Sequence, residues 1–307
     1  MSFATDWPRY GAAFALLIVA AGCVPAAGTD TEPAPRPAVV TPPPPPAPPR
    51  APVRSDFTLT GLAEQGAAMV GQAPSNTRTL TLDGKAIPVA ADGRFLIAFD
   101  RDAGARARLV ATLDDGRLIE RAIAVAAGSW RLEHINAPYR GSASSDAEFQ
   151  RRRPAELAQI AAARNRQVDS DGWRQTFRWP VTGRLSGLFG SQRVYQGKPG
   201  TYHSGTDVAV PAGTPFVAPA DGVVVLAASE PFTLEGNLLI VDHGMGLSSA
   251  FLHCQRLDVK VGDRVVQGQR LGTVGRTGRA TGPHMHWGLK WRDARLDPAK
   301  LAGPIDR

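Results

Sequence analysis

Cysteine is scarce in this chain, two in 307 residues, so at most one disulfide is available to it. Long apolar runs are scarce as well. The run from Ala12 to Ala21 falls short of the roughly 20 residues a helix needs to cross a bilayer, and no second candidate span follows it. There is no sustained internal repeat. The balance of 35 Lys and Arg against 28 Asp and Glu leaves a net charge of +7, yet nothing in the chain reads as a nucleic-acid fold, and no nucleic-acid partner is expected. Histidine is uncommon too, with six, and its placement is therefore informative.

Five of the six histidines fall between residues 203 and 286, and four of them, with one aspartate, form a recognisable set. His203 and Asp207 lie in Tyr-His-Ser-Gly-Thr-Asp, His253 stands between, and His284 and His286 lie in Gly-Pro-His-Met-His-Trp. This set offers three neutral or anionic nitrogen and oxygen ligands for zinc, with two imidazoles left over for proton transfer, the inventory of a zinc hydrolase. If the segment holding His284 and His286 is a strand, their i, i+2 spacing points both rings to one face. Gly205 and the run Asp207-Val208-Ala209-Val210-Pro211 make His203–Asp207 a loop entering a strand, although a four-residue spacing also suits one helix face.

The stretch from about Phe177 to Trp291 resembles the lysostaphin-like, LytM-type zinc endopeptidases that cut peptidoglycan cross-bridges. The motifs that carry the resemblance are His203-x-x-x-Asp207, Val241-Asp242-His243-Gly244, Phe251-Leu252-His253, Val261-Gly262-Asp263-x-Val265-x-x-Gly268-Gln269 and Thr281-Gly282-Pro283-His284-x-His286. The resemblance implies a mostly β fold with an antiparallel peptidase domain, and one zinc ion per chain held by His203, Asp207 and His286. It makes His253 and His284 the residues that activate water and stabilise the tetrahedral intermediate. Tyr195 and Tyr202 are candidates for a hydrogen bond to the oxyanion. Some members of the family lack ligands and only activate other wall hydrolases. A non-catalytic regulator or scaffold that activates an amidase or binds peptidoglycan is thus the rival reading, but all five residues are kept here. Cys254 follows His253 where leucine is common and reads as a buried hydrophobe facing away from it, and His243 reads as structural. The hairpin around Gly262–Val274 also resembles biotinyl and lipoyl carrier domains, but those carry a modified lysine between methionines, and no Met-Lys-Met occurs.

The N-terminus organises the rest. Residues 1–22 read as an export signal ending in Ala20-Ala21-Gly22-Cys23, which resembles the lipobox of bacterial lipoproteins and makes Cys23 a lipidation site. Lipid on Cys23 would leave Cys254 a lone thiol, so no structural disulfide is expected. Eleven of the 26 prolines lie in residues 33–52, a tract that extends as polyproline II and reads as a spacer. Residues 23–54 are therefore expected to form an anchor and linker to a lipid bilayer, and the resemblance to lipoproteins of double-membrane bacteria implies, from Val24 after Cys23 with no Asp there, the outer membrane and a periplasm-facing enzyme acting on peptidoglycan stem peptides. Residues 55–130 read as a small β-domain, immunoglobulin-like, punctuated by Asp83-Gly84, Asp92-Gly93 and Asp115-Gly116. Residues 142–170 read as a helical connector opened by the capping box Ser145-x-x-Glu148 and ended or kinked at Pro154, with a second helical stretch after it. Residues 173–303 hold the peptidase domain.

Overall fold

The computed structural model describes residues 53–138 and 147–305. The signal segment, Cys23, the proline tract to Pro52 and Ser145 of the connector lie outside the described residues. The first described part is built of short alternating segments, which form strands β1 (Thr58–Gly61), β2 (Ala68–Gln72), β3 (Thr77–Leu82), β4 (Lys85–Ile87), β5 (Arg94–Ala98), β6 (Arg106–Leu113) and β7 (Leu118–Ala124). They pair as two sheets, β1-β2-β5 and β4-β3-β6-β7, and bury Phe57, Leu80, Phe95, Ile97 and Leu109 in one core. Asp83 and Gly84 connect β3 to β4 with φ of 49° and 77°, the backbone twist that a two-residue hairpin needs.

The chain continues through β8 (Leu132–Ile135) and helix α1 (Ala147–Arg164), then β9 (Arg184–Gly187), β10 (Gln192–Tyr195), β11 (Lys198–Pro199), β12 (Thr206–Ala209), β13 (Pro215–Val217), β14 (Gly222–Ala227), β15 (Asn237–Asp242) and β16 (Leu247–Cys254). It ends with β17 (Arg256–Leu257), β18 (Arg264–Val265), β19 (Arg270–Thr273), β20 (Met285–Trp291), β21 (Ala294–Leu296) and helix α2 (Pro298–Ala302). An eight-stranded sheet runs β18-β14-β15-β16-β20-β12-β9, with β21 beside β20. Its core face carries Leu239, Val241, Phe251, Met285, Trp287 and Leu289, all buried. Because side chains alternate along a strand, His286, Gly288 and Lys290 emerge on the opposite face of β20.

Helix α1 packs on that second face, where Ala163 and Ile160 meet Leu238, Ile240, Ala250 and Leu252. Of the two outcomes expected at Pro154, an ending or a kink, the ending does not occur: α1 is one helix of 18 residues with Pro154 inside it. Proline removes one backbone hydrogen bond, but tertiary contacts on either side of it hold the helix. Arg153 grips Glu235 at 2.6 and 2.8 Å, Arg152 donates to the Pro231 carbonyl at 2.7 Å, and Glu156 accepts from Thr233 Oγ1 at 2.6 Å. Among the described residues no helix is long and apolar enough to cross a membrane. Cys254 is a free, buried thiol, pushed up to about 12 by burial, and it faces the core as its position after His253 predicts.

The two β-regions are joined through the wall of the groove. β8 adds in parallel to β10 of the β10–β11 hairpin, and Trp130 just before it stacks edge-on against Phe189 with ring centroids 5.5 Å apart. Arg101, from the loop after β5, donates through Nε and Nη2 to the Gly190 carbonyl at 3.2 and 3.0 Å.

Candidate metal centre in the groove

Strand pairing brings the first two candidate ligands together. Asp207 on β12 stands directly opposite His286 on β20, and its Oδ1 lies 2.9 Å from His286 Nδ1. His203, in the loop before β12 as expected, turns back so that Nε2 is 3.2 Å from Asp207 Oδ1 and 3.1 Å from His286 Nδ1. The other ring nitrogen, Nδ1, donates to the Leu188 carbonyl at 3.1 Å and so fixes which edge faces the centre. The loop that supplies this carbonyl is held to His203 by two backbone bonds, Gly190 N–H to His203 O and His203 N–H to Ser191 O, both 2.9 Å. It is the same loop that Arg101 grips. Two glycines make room for the cluster: a Cβ on Gly205 would sit 2.5 Å from His286 Nε2, and one on Gly187 would sit 2.4 Å from Asp207 Oδ2.

The three donor atoms form a triangle with edges of 2.9, 3.1 and 3.2 Å. Donors of a tetrahedral zinc, bonded at about 2.0–2.1 Å, lie about 3.3 Å apart. One carboxylate and two imidazoles in this arrangement fit such an ion after small adjustments, and they leave one side of the tetrahedron facing the groove. Electrostatics agree. Burial alone would raise Asp207, but hydrogen bonds and charge from His203 and His286 hold its carboxyl well below the usual range. Burial opposes protonation of His203 as well, yet Asp207 raises it above the ordinary imidazole value, while burial prevails at His286 and lowers it. A dense anionic acceptor between two imidazoles is what a cation would relieve.

The two remaining histidines face the same place. His284 lies just before β20 and not within it, bridged to Gly275. Its Nδ1 donates to the Gly282 carbonyl at 2.8 Å, and its Nε2 is 3.8 Å from Asp207 Oδ1. His253 is the next-to-last residue of β16, with φ of 62°, a left-handed conformation that is uncommon outside glycine. Its Nδ1 donates to the Thr277 carbonyl at 2.8 Å, and its ring centroid is 4.9 Å from that of His284 and 6.3 Å from that of His286. Burial lowers His253 to about 4. Both rings are thus anchored through Nδ1 and keep Nε2 as their free edge.

His243 is structural, as its turn predicts: it is fully buried, donates from Nδ1 to the Asp221 carbonyl at 2.7 Å, and pairs Nε2 with Ser249 Oγ at 2.8 Å. Ser249 also accepts from Trp287 Nε1 at 3.2 Å, directly beneath His286. Tyr195 lies in the β10–β11 hairpin, where it pairs with Lys198 across the turn. Tyr202 is stacked beneath Arg101, 4.7 Å from guanidinium to ring, and its hydroxyl accepts from Arg295 at 3.4 Å. Sequence reasoning missed the carbonyls of Leu188, Gly282 and Thr277 that aim the three rings, because a backbone acceptor leaves no trace in residue identity. It also missed Arg101, whose role depends on a fold contact 89 residues away along the chain.

A family model described as Peptidase family M23 matches residues 201–298. A crystal structure of a peptidase M23 from Pseudomonas aeruginosa aligns over 80% of this chain and 96% of that chain, with 30% identity and a TM-score of 0.60. The peptidoglycan DD-endopeptidase ShyA of Vibrio cholerae is 37% identical over 141 residues, which is 45% of this chain and 32% of that protein. The cell division protein DipM of Caulobacter vibrioides is 34% identical over 128 residues, 42% of this chain and 20% of that protein. The chain thus spans about a third or less of the length of these two relatives. Residues and fold agree with the match to the Pseudomonas structure over nearly its whole length: the chain belongs to peptidase family M23.

Proposed function

We propose that the protein is a zinc-dependent endopeptidase that hydrolyses peptide cross-links of bacterial peptidoglycan. One observation carries the reading: the His203, Asp207 and His286 donors form a zinc-sized triangle, with the Nε2 edges of His253 and His284 beside its open side. The name of ShyA, a peptidoglycan DD-endopeptidase, supports the substrate class. His203, Asp207 and His286 would hold the ion. A bound zinc supplies Lewis acidity, polarising a scissile carbonyl and acidifying water to a pKa near 7.

The chain's own residues do the rest. His253 and His284 are anchored through Nδ1, so each can accept a proton at Nε2 from the attacking water. Once the carbonyl carbon has gained the water oxygen, the same imidazolium returns the proton to the departing amine as the C–N bond breaks. Until then its N–H stabilises the negative oxygen. Arg101 and the loop it holds keep His203 aimed at the centre throughout. Attachment to a membrane through a lipidated Cys23, with the proline tract as a spacer and the groove facing the periplasmic wall, completes the proposal. The positively charged chain suits a polyanionic wall. The test is digestion of purified sacculi by the soluble protein, with and without a chelator. Release of peptide-linked fragments only without chelator supports the reading, and release of none under either condition refutes it.

A further inference from the structure

Beyond the histidines, the groove face carries a second concentration of charge. Lys290 and Arg295 are direct cross-strand partners on β20 and β21, so their side chains leave the same face with Cβ atoms about 4.5–5.5 Å apart. Like charges in that position destabilise a sheet. A third cation, Arg164, comes from the last turn of α1, the end whose Ala163 packs on this face. Its Nη1 is buried with no hydrogen-bond partner. Among the described residues none of the three side chains is in a salt bridge.

The acids nearby are occupied or distant. Glu235 is held by both amino groups of Arg153, and Asp100 accepts the backbone N–H of Arg295 at 2.8 Å. Asp293 flanks Lys290 without pairing to it. The mutual repulsion is felt: burial and then the charge of Arg295 lower Arg164 to about 10, and burial and then Arg164 lower Lys290. Glu235 acts on Arg164, and Asp293 and Asp100 act on Lys290, only through space, so among the described residues the three cations have no acid in direct contact with their side chains, and one of them has a buried unsatisfied N–H. An anion would satisfy all three.

The position says which anion. Lys290 lies four residues from His286 along β20 on the same face, about 13 Å at roughly 3.3 Å per residue. Between them is Gly288, which adds no side chain to that face; a Cβ there would touch the Ser204 carbonyl at 3.6 Å and His286 Nε2 at 3.8 Å. Arg295 joins the two ends through Tyr202, which precedes His203. We propose that Arg164, Lys290 and Arg295 form an anion subsite that takes a free carboxylate of the substrate's stem peptide, a few residues along the extended peptide from the bond that is cut. The subsite rests on the reading of the groove as a peptide-cleaving site, and it would select acidic stem peptides over those whose carboxylates are amidated.

The probe is a soluble cross-linked stem-peptide dimer purified from sacculi, together with the same dimer after chemical amidation of its carboxylates. Calorimetric binding is measured to the full chain carrying His284→Ala, which should bind without turning the peptide over, and to the same protein with Lys290→Gln or Arg295→Gln added. The parent should prefer the acidic dimer by about tenfold, as for a charge-assisted contact, and either added substitution should bring that preference near one. Because Lys290→Gln removes a like-charge pair, its Tm should be equal to or slightly above the parent's. Equal losses for both peptides, no preference in the parent, or a lowered Tm would overturn the subsite. Turnover of the acidic dimer by the unsubstituted protein separates the two claims. Binding with preference but no cleavage would refute the peptidase reading and leave the subsite standing.

Discussion

Replacing Ser249 with alanine should be far more damaging than the loss of one oxygen suggests. Ser249 is fully buried on β16, and its hydroxyl donates to His243 Nε2 at 2.8 Å while accepting from Trp287 Nε1 at 3.2 Å. Alanine fits the space but leaves two polar atoms unpaired where water cannot reach. Each such group costs about 1–3 kcal/mol, so the variant should lose about 2–6 kcal/mol of unfolding free energy. Ser248 is the control, one residue away and nearly as buried. Its hydroxyl lies 3.4 Å from the Lys290 carbonyl, at the limit of a hydrogen bond, and Ser248→Ala should cost under about 1 kcal/mol. Urea denaturation of both variants at pH 7.5, followed by tryptophan fluorescence, measures the difference. Equal losses, or a Ser249→Ala protein within about 0.5 kcal/mol of the original, would show that the buried chain from Trp287 to His243 contributes nothing.

The same region carries two opposed proton switches. Burial lowers His243 to about 4 and raises Asp242 to about 6. The His243 contribution is complete above its ordinary 6.5 and is lost as pH falls towards 4. The Asp242 contribution is complete below 3.8 and is lost as pH rises through 6, so the two offset between pH 4 and 6. Asp242→Asn, which keeps an acceptor for the Gly244 N–H, should therefore steepen the fall in stability on acidification by about 3 kcal/mol across that window, and parallel curves for the two proteins would refute it. His253→Ala and His284→Ala should keep their zinc while losing roughly 10²–10⁴-fold in rate on sacculi; a variant retaining more than about a third of the rate would remove that residue from the chemistry. Gly205→Ala, whose Cβ would lie 2.5 Å from His286 Nε2 and 2.6 Å from the Trp287 carbonyl, should weaken zinc binding at least tenfold or so, read by competition with a chromophoric chelator.

The candidate cluster was legible in the sequence because ligand chemistry restricts residue type: few side chains can bind a metal, so Asp207 and four of the six histidines, His203, His253, His284 and His286, stood out, and the fold brings His203, Asp207 and His286 within ligand distance of one another. The β-architecture was legible from alternation and from Asp-Gly turns such as Asp83-Gly84, where two positive φ angles demand that kind of pair. Helix α1 runs on through Pro154, where an ending was one of two expectations, because local propensity was overridden by Arg152, Arg153 and Glu156, whose partners at Pro231, Thr233 and Glu235 come from a distant loop. The alliance of Lys290 with Arg295 was hidden for the same reason. Five residues apart in sequence, they become neighbours only through the register of β20 and β21.

The central claim is that three side chains converge on one ion, and metal stoichiometry tests it most directly. The purified chain, loaded with zinc and then dialysed, should contain one zinc per molecule by elemental mass spectrometry, and His203→Ala, Asp207→Ala and His286→Ala should each contain close to none while keeping the circular dichroism of the folded protein. Full zinc occupancy in His286→Ala, or none in the unsubstituted protein, would contradict the account.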